Sequence, residues 1–459
     1  MLDNLVSVLR NKEINYPECP PFNPPKPFPE YSIQSDFDKS NIVYSMIRKS
    51  LYLLGLDKEN FGEKHWNPLK TIINLGDTVV IKPNFVTDLN RDIKGINGQL
   101  ALVTHGSVLR PIIDYAYKAC GEDGKIIIAD TPLEESRENS FSNILNFTGT
   151  EKTIKFLKSQ GVPVETIDLR NRIEVKKFGL RRQKKMIGDP LGYSIIDLGT
   201  DSEYCKINED YKKFETGAWI NVSKYHNKEH NLYSIANTIL SADVIINVPK
   251  MKTHKKSGVT LSLKNVMGIS NRKDWIPHWR RRCDEYYTND STINDLLKTI
   301  YSIPFCSPFI SRVITKFDIK LKGQGNWYGN DTIWRASTDL NKILFFADKE
   351  GNMQSTRQRE YITIIDGIIA GEKESPLSPT PKFFGTIVAG FDPVAVDTVC
   401  CKVMKINPYK IKKITGSINL DKYNFSRLRN LEDITVVGDS IINIAEEFIL
   451  PSGWEGKLR

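Results

Sequence analysis

The segment Ala242–Ile269 places lysine, histidine, hydroxyl and amide side chains directly after an apolar run, and such groups can bind an anion and move protons. Within it, Val244–Ile246 is apolar and β-branched, which predicts a strand buried on both faces. The chain becomes cationic and polar as soon as this strand ends. In open α/β sheets, ligands bind outside the carboxyl ends of the strands. The segment therefore predicts a binding site at this strand end.

Basic residues of this segment are candidates for acid–base chemistry. Lys250 and Lys252 would share one face of an extended strand, where two ammonium groups repel each other unless an anion lies between them. Such repulsion lowers a lysine pKa and allows the amine to act as a base. Imidazole titrates near neutral pH, although a histidine can also simply cap a loop. We predict that the catalytic residues are His254, Lys250 and Lys264.

Polar side chains near other predicted strand and helix ends could bind the substrate. Lys82 and Asn84 follow an apolar run and could hold an anion, although Lys82 could instead pair with a carboxylate. His105 precedes a predicted helix whose backbone amides could receive a phosphate or carboxylate, unless a neighbouring hydroxyl caps that helix. If the run 260–264 is extended, its alternate side chains face one side. The predicted substrate-binding residues are Lys82, Asn84, His105, Asn247, Lys252, Thr260, Ser262 and Asn265.

The positive charge of the chain is concentrated around the same segment. The net charge is +9, and residues 250–282 contain ten Lys and Arg against one acid, so the rest of the chain is close to neutral. A local positive field favours a small anionic ligand such as a phosphate, a carboxylate or an acidic sugar. A solvated basic face is the alternative interpretation. Nucleic acid is not the predicted partner, because no helix-turn-helix, zinc-finger or RNA-binding signature accompanies the basic run.

The sequence lacks the motifs of common cofactors. Its seven cysteines form no CxxC pair, so there is no iron–sulfur motif and no structural zinc motif. There is no GxGxxG dinucleotide fingerprint and no GxxxxGK[ST] loop, which leaves the cofactor and any metal unassigned. No apolar stretch reaches about 18 residues, and no secretory leader is recognised. We predict a cytoplasmic protein without a membrane span, and the sequence gives no oligomeric state.

The order of the predicted elements gives the fold class. Between residues 77 and 169, apolar strands alternate with amphipathic helices, which is typical of βαβ units. A further helix is predicted at Asn231–Leu240, and mainly helical structure at 292–317. We predict an α/β protein with mainly parallel sheets flanked by helices, in two lobes with a cleft at the strand carboxyl ends.

The predicted organisation has three ranges. Residues 1–70 would form an N-terminal arm and helix, and the proline-rich arm should lie across the folded body. Residues 71–320 would form a first α/β domain with a basic insertion near 170–215. Residues 321–459 would form a second α/β domain.

Several sequence runs resemble domain-of-unknown-function family 362. They are IKPNFV, THGSVLRPIIDYAYKACG, IIIADTP, ADVIINVPKMKTHKKSGVTLSLKNVMG and AGFDPVAVD, which together span roughly residues 77–400. The run GNWYGNDTIWRASTDLNKILFFAD is similar to a longer subgroup. The resemblance implies a fold and the location of a site, and no reaction. Some members carry a ferredoxin-like cysteine module that this chain lacks, so the resemblance implies no redox role here.

A fainter similarity connects the basic segment to the nickel-pincer lactate racemases. It rests on His254, Gly258, Lys264 and His278. In this chain the lysine lies in SLKN and not in the doubled-glycine setting of that family. The similarity implies kinship of fold more than a shared cofactor.

These features favour an enzyme that acts on a small anionic metabolite, such as a carboxylate or a phosphorylated sugar. Proton transfer next to a carboxylate, as in an isomerase or epimerase, would suit a basic residue among lysines that stabilise enolate-like charge. The alternative is a non-catalytic binding or assembly protein whose basic segment docks an acidic partner.

Overall fold

The computed structural model describes residues 4–177, 180–207, 210–216, 220–280, 284 and 325–458. The strands of this part of the chain are β1 Leu5–Arg10, β2 Thr78–Pro83, β3 Lys125–Asp130, β4 Val164–Asp168, β5 Arg172–Lys177, β6 Leu180–Lys185, β7 Tyr193–Asp197, β8 Phe214–Glu215, β9 Leu232–Ala236, β10 Val244–Val248, β11 Lys250–His254, β12 Gly258–Val259, β13 Trp279–Arg280, β14 Glu360–Glu374, β15 Ser378–Gly390 and β16 Thr435–Gly438.

Helices cover both faces of the sheet and connect most of its parallel strands. The α-helices of the described residues are α1 Ile42–Leu53, α2 Ile96–Leu100, α3 Gly106–Cys120, α4 Ser140–Phe147, α5 Thr150–Ser159, α6 Asn237–Leu240, α7 Leu261–Asn265, α8 Ile333–Phe346, α9 Pro393–Val403, α10 Lys412–Thr415 and α11 Ile441–Ile444.

A ten-stranded sheet forms the centre of the molecule. Its main path runs β16-β1-β15-β14-β10-β2-β3-β4, with β11 added beside β14 and β12 beside β11. The five strands from β14 to β4 are parallel, and β15 runs antiparallel between β14 and β1. The predicted α/β class, with a mainly parallel sheet flanked by helices, is confirmed.

The central strands are buried on both faces, as their continuous apolar runs predicted. Val80 and Ile245 point into one core with helices α8 and α9, whereas Val79 and Ile246 point into a second core with α1 and α3. Burying one such side chain is worth about 1.5–3 kcal/mol, so both faces contribute to the stability of the sheet.

The main sheet takes strands from all three ranges predicted for the chain organisation. β1 comes from 1–70, β2–β4 and β10–β12 come from 71–320, and β14–β16 come from 321–459. The division into three ranges stays a prediction. The proline-rich arm does contact the body, because the buried Tyr16 hydroxyl donates to Asp366 Oδ1 over 2.6 Å.

Two local predictions were wrong. The helix predicted at Asn231–Leu240 is strand β9 followed by the four-residue α6, because pairing with β7 takes up the backbone of 232–236. The run 260–264 is not extended, because the Asp397 carboxylate accepts the Ser262 amide at 2.6 Å and starts α7. The mainly helical stretch predicted at 292–317 lies outside the described residues.

Candidate functional site

A cavity of about 410 Å³ opens beyond the carboxyl ends of β2 and β3 and beside β11, at the sheet edge where the sequence predicts a site. The turn between β14 and β15 and the β5–β6 hairpin form part of its wall. Its volume is in the range of small-molecule pockets. The cavity is lined by Asn84, Val86, Arg91, Asp130, Thr131, Leu133, Glu134, Glu135, Glu174, Gln183, Thr216, Lys252, His254, Lys255, Lys256, Thr260, Lys264, Asn265, Met267, Gly268, Lys273, Asp274, His278, Trp279, Asn326, Ile333, Glu374, Pro376, Leu377 and Ser378.

Six of the eleven predicted site residues line this cavity. They are Asn84, Lys252, His254, Thr260, Lys264 and Asn265. Asn84 follows β2, and Lys252 and His254 lie on β11. Thr260 is the N-cap of α7, and Lys264 and Asn265 lie on α7. The sheet therefore brings together side chains that lie up to 181 positions apart in the sequence.

Lys264 stands apart from the other lysines of the cavity. It lies on α7, and its ammonium nitrogen has no hydrogen-bond or ion-pair partner among the described residues. Burial, followed by the charges of Lys273 and Lys413, lowers the pKa of Lys264 to about 7. Near neutral pH the amine is therefore divided between its charged and neutral forms, as a proton-transfer group requires.

Among the described residues, no carboxylate forms an ion pair with Lys252 or Lys273, although Asp130 counteracts the lowering of the pKa of each. Lys252 Nζ donates to the backbone carbonyl of Leu102 at 2.6 Å, and Lys273 Nζ donates to the backbone carbonyl of Thr131. Burial lowers the pKa of Lys252 well below its usual range, and the nearby Lys264 lowers it further. Burial also lowers the pKa of Lys273 to about 8. An anion bound in the cavity would offset the repulsion between these lysine side chains.

The geometry of His254 makes it a hydrogen-bond donor. Its Nδ1 accepts the backbone N–H of Lys256 at 3.0 Å, so the proton of the neutral ring is on Nε2. Burial, followed by the charge of Lys264, lowers the pKa of His254 well below its usual range. A neutral imidazole that presents Nε2–H can polarise a carbonyl or stabilise an oxyanion.

Lys82 and Lys250 do not line the cavity, because each is paired with its own buried carboxylate. Lys82 Nζ lies 2.8 Å from Asp130 Oδ1, and Lys250 Nζ lies 3.1 Å from Asp366 Oδ2. Lys250 also donates to the hydroxyl of Tyr16. The acidic partners make these two lysines structural ion pairs, so they do not form a shared anion site.

His105, Asn247 and Ser262 also lie outside the cavity lining. His105 caps helix α3, where its Nδ1 accepts the Ser107 amide at 3.2 Å and its ring stacks on Tyr16. Asn247 Nδ2 donates to the Tyr361 hydroxyl at 2.9 Å, and Ser262 Oγ bonds a neighbouring threonine. Their polar atoms hold the protein's own elements together and are not presented to a ligand.

The backbone of the site contains one strained residue and one close approach. Leu261, at the start of α7, has a φ of +49°, which is uncommon for a residue with a branched side chain. At Gly268, a Cβ atom would lie 2.1 Å from Asp130 Oδ1 and 2.6 Å from Lys82 Nζ. Gly268 therefore allows the turn after α7 to pack directly on the buried Lys82–Asp130 pair.

Most acidic side chains of the cavity wall form ion pairs with arginine or lysine. Glu134 Oε2 lies 3.1 Å from Arg172, and Asp274 Oδ1 lies 3.0 Å from Arg272. Burial raises the pKa of Glu134 to about 7, and Asp274 adds to this increase. The carboxylates of Glu134 and Asp274 are thus engaged with arginines at the rim of the cavity.

Sequence reasoning did not select several lining residues as site residues. Lys256 and Lys273 belong to the same basic run as Lys252, so charge clustering could have selected them. Thr131 directly follows β3, and its position at a strand end was a second available signal. Burial lowers the pKa of Lys256 to about 7.

Four side-chain oxygens on residues of the cavity wall have no hydrogen-bond partner among the described residues. They belong to Asn84, Thr131, Thr260 and Asn265. Buried oxygens without partners are unusual and favour a ligand that carries hydroxyl or N–H donors. Among the described residues, no group of three or more histidine, cysteine or acidic side chains is arranged to hold a metal ion.

Comparison with known families supports one of the two resemblances. The family model of Domain of unknown function (DUF362) matches residues 199–402. The resemblance to this family is confirmed over that span. The matched span includes the lysines of the cavity wall from Lys252 to Lys273, whereas Asn84 and Asp130 lie outside the span. No curated protein matches the chain.

The fainter similarity to the lactate racemases stays a prediction. Of its four residues, His254, Lys264 and His278 line the cavity and Gly258 does not. Burial, followed by the charge of Lys256, lowers the pKa of His278 to about 4, so this ring is neutral.

Among the described residues, no helix is both long and apolar enough to cross a membrane.

Proposed function

We propose that the protein is an enzyme that moves a proton on a small anionic, hydroxylated metabolite bound in the cavity. The observation that carries the proposal is that three lysines of the cavity wall have no carboxylate ion-pair partner among the described residues. They are Lys252, Lys264 and Lys273. A carboxylate or phosphate group bound there would neutralise this wall. The unpartnered oxygens of Asn84 and Thr131 favour hydroxyl groups on the same ligand.

Lys264 is the base in this proposal. Its pKa of about 7 leaves a neutral fraction at physiological pH, and no described group competes for its nitrogen. His254 is less suited to removing a proton, because its Nδ1 accepts a backbone N–H and its Nε2 is already protonated. Instead, His254 Nε2–H and an N–H of the Lys252 side chain would stabilise the enolate-like oxygen that forms as the proton leaves.

Hydrogen exchange tests the proposed function directly. The protein is incubated in D₂O with a panel of 2-hydroxy acids, sugar acids and sugar phosphates, and the C–H bonds next to each carbonyl or carboxylate are followed by NMR. We expect protein-dependent loss of one such proton signal for one ligand class. Binding of these acids without any exchange would contradict the enzymatic proposal.

A cytoplasmic location is also part of the proposal. Cys120, Cys400 and Cys401 are buried free thiols, and Cys205 is a partly buried one. Free thiols of this kind persist in a reducing compartment.

A further inference from the structure

The buried and half-buried lysines around the sheet differ in what their nitrogen atoms contact. Lys82, Lys250 and Lys413 each contact a carboxylate, and the Lys413–Asp397 distance is 2.5 Å. Lys252 donates to a backbone carbonyl. Lys264 makes none of these contacts among the described residues, although it lies on a helix fixed at its N-terminus by Asp397. Its nitrogen is therefore free to react while its stem is held.

A lysine in this setting has the properties of a carbonyl nucleophile. Only the neutral amine attacks a carbonyl carbon, and the pKa of about 7 makes that form abundant at neutral pH. The same cavity presents the Nε2–H of His254, which can hydrogen-bond the carbonyl oxygen. Lys273, with a pKa of about 8, supplies positive charge for an anionic group elsewhere on the same molecule.

We propose that Lys264 forms an imine with an anionic aldehyde or ketone bound in this cavity. The amine nitrogen attacks the carbonyl carbon, and the tetrahedral adduct then loses the former carbonyl oxygen as water with the two amine hydrogens. The product is a C=N bond and one water molecule, so no oxidant or reductant is needed. The proposal rests on the anion binding of the proposed function. When the bound molecule is a 2-oxo acid or an aldehyde or keto sugar acid, Lys264 acts as the nucleophile instead of the base.

Reductive trapping tests the imine. The protein is treated with glyoxylate or pyruvate in the presence of sodium cyanoborohydride, and the modified lysine is located by peptide mass spectrometry. We expect Lys264 to be modified at least about tenfold faster than the exposed Lys155, because the neutral fraction of an ordinary lysine is very small at neutral pH. Lys264→Arg, which keeps a cation but removes the nucleophile, should abolish the modification.

The controls separate this inference from the proposed function. Sulfate binding is measured by calorimetry on the same samples, and Lys155→Gln serves as the matched surface variant. Sulfate binding without preferential trapping at Lys264 overturns the imine and leaves the anion site in place. If the wild-type protein shows neither sulfate binding nor trapping at Lys264, the proposed function is overturned as well. Trapping that persists in Lys264→Arg also contradicts the inference.

Discussion

Asp366→Asn is expected to destabilise the protein by about 3–5 kcal/mol, because it leaves the Lys250 ammonium group buried without its carboxylate. Both side chains of this pair are fully buried. Asp366 also accepts the backbone N–H of His105 at 3.0 Å and the hydroxyl of Tyr16, so the change disturbs the contact between the sheet and the N-terminal arm. Denaturant unfolding followed by circular dichroism measures the loss.

A surface pair gives the matched control for this variant. Glu151→Gln removes a carboxylate from the exposed Lys155–Glu151 pair on α5 and should change the free energy of unfolding by less than about 0.5 kcal/mol. An Asp366→Asn loss no larger than this control would show that the buried pair is not an essential ion pair.

The pH dependence of the same variant has a defined sign. Burial already lowers the pKa of Lys250 in the folded protein, and Asp366 counteracts that effect. Without Asp366, the unfolded chain binds a proton more readily than the folded protein does, so stability rises with pH. We therefore expect the deficit of Asp366→Asn to shrink as the pH is raised toward the usual lysine pKa.

Lys264→Gln is expected to lower the rate of the proposed hydrogen exchange by about 10²–10⁴-fold, the usual contribution of a positioned acid–base group. The reason is that Lys264 is the proposed base, and among the described residues its nitrogen has no hydrogen-bond or ion-pair partner. The exchange rate is measured by NMR in D₂O at saturating ligand, which separates chemistry from binding.

Lys273→Gln is the informative comparison for Lys264→Gln. Lys273 donates to the carbonyl of Thr131 and contributes charge to the cavity, so its loss should weaken ligand binding more than the exchange step. Thermal unfolding of both variants checks that each is folded. An exchange rate in Lys264→Gln equal to that of the wild-type protein would remove Lys264 from the chemistry.

The sequence was sufficient to predict the edge of the sheet at which the cavity lies, because its strands are apolar and end abruptly. β10 begins at the predicted residue and extends two residues further. Since parallel strands end at the same edge of a sheet, polar residues after β2, β3 and β10 had to lie near one another. The cavity at that edge follows from this arrangement.

The sequence could not show which lysines would remain unpaired. Asp130 lies 48 residues from Lys82, and Asp366 lies 116 residues from Lys250. Both pairings depend on the neighbours that each strand acquires in the sheet, and local spacing carries no information about them. Lys250 was therefore predicted to be catalytic although a carboxylate and the Tyr16 hydroxyl enclose it.

The conformation of the run after β11 depended on a distant residue in the same way. Thr260, Ser262 and Lys264 alternate in a pattern that suits an extended strand. The Asp397 carboxylate from α9 accepts the amides of Ser262 and Leu263 and makes the run helical. As a result Lys264 faces the cavity while Ser262 packs against the sheet.

The central claim is that the cavity binds anions through lysines that have no carboxylate ion-pair partner among the described residues. Sulfate affinity measured by calorimetry between about pH 6 and pH 9 tests it most directly, because sulfate keeps its charge over the range in which perturbed lysines titrate. Lys264 has a pKa of about 7 and Lys273 a pKa of about 8, so both lose their charge as the pH rises. We predict that sulfate binds with proton uptake and that its affinity falls steeply with increasing pH. An affinity that does not change with pH, or no binding at the acidic end, would contradict the account.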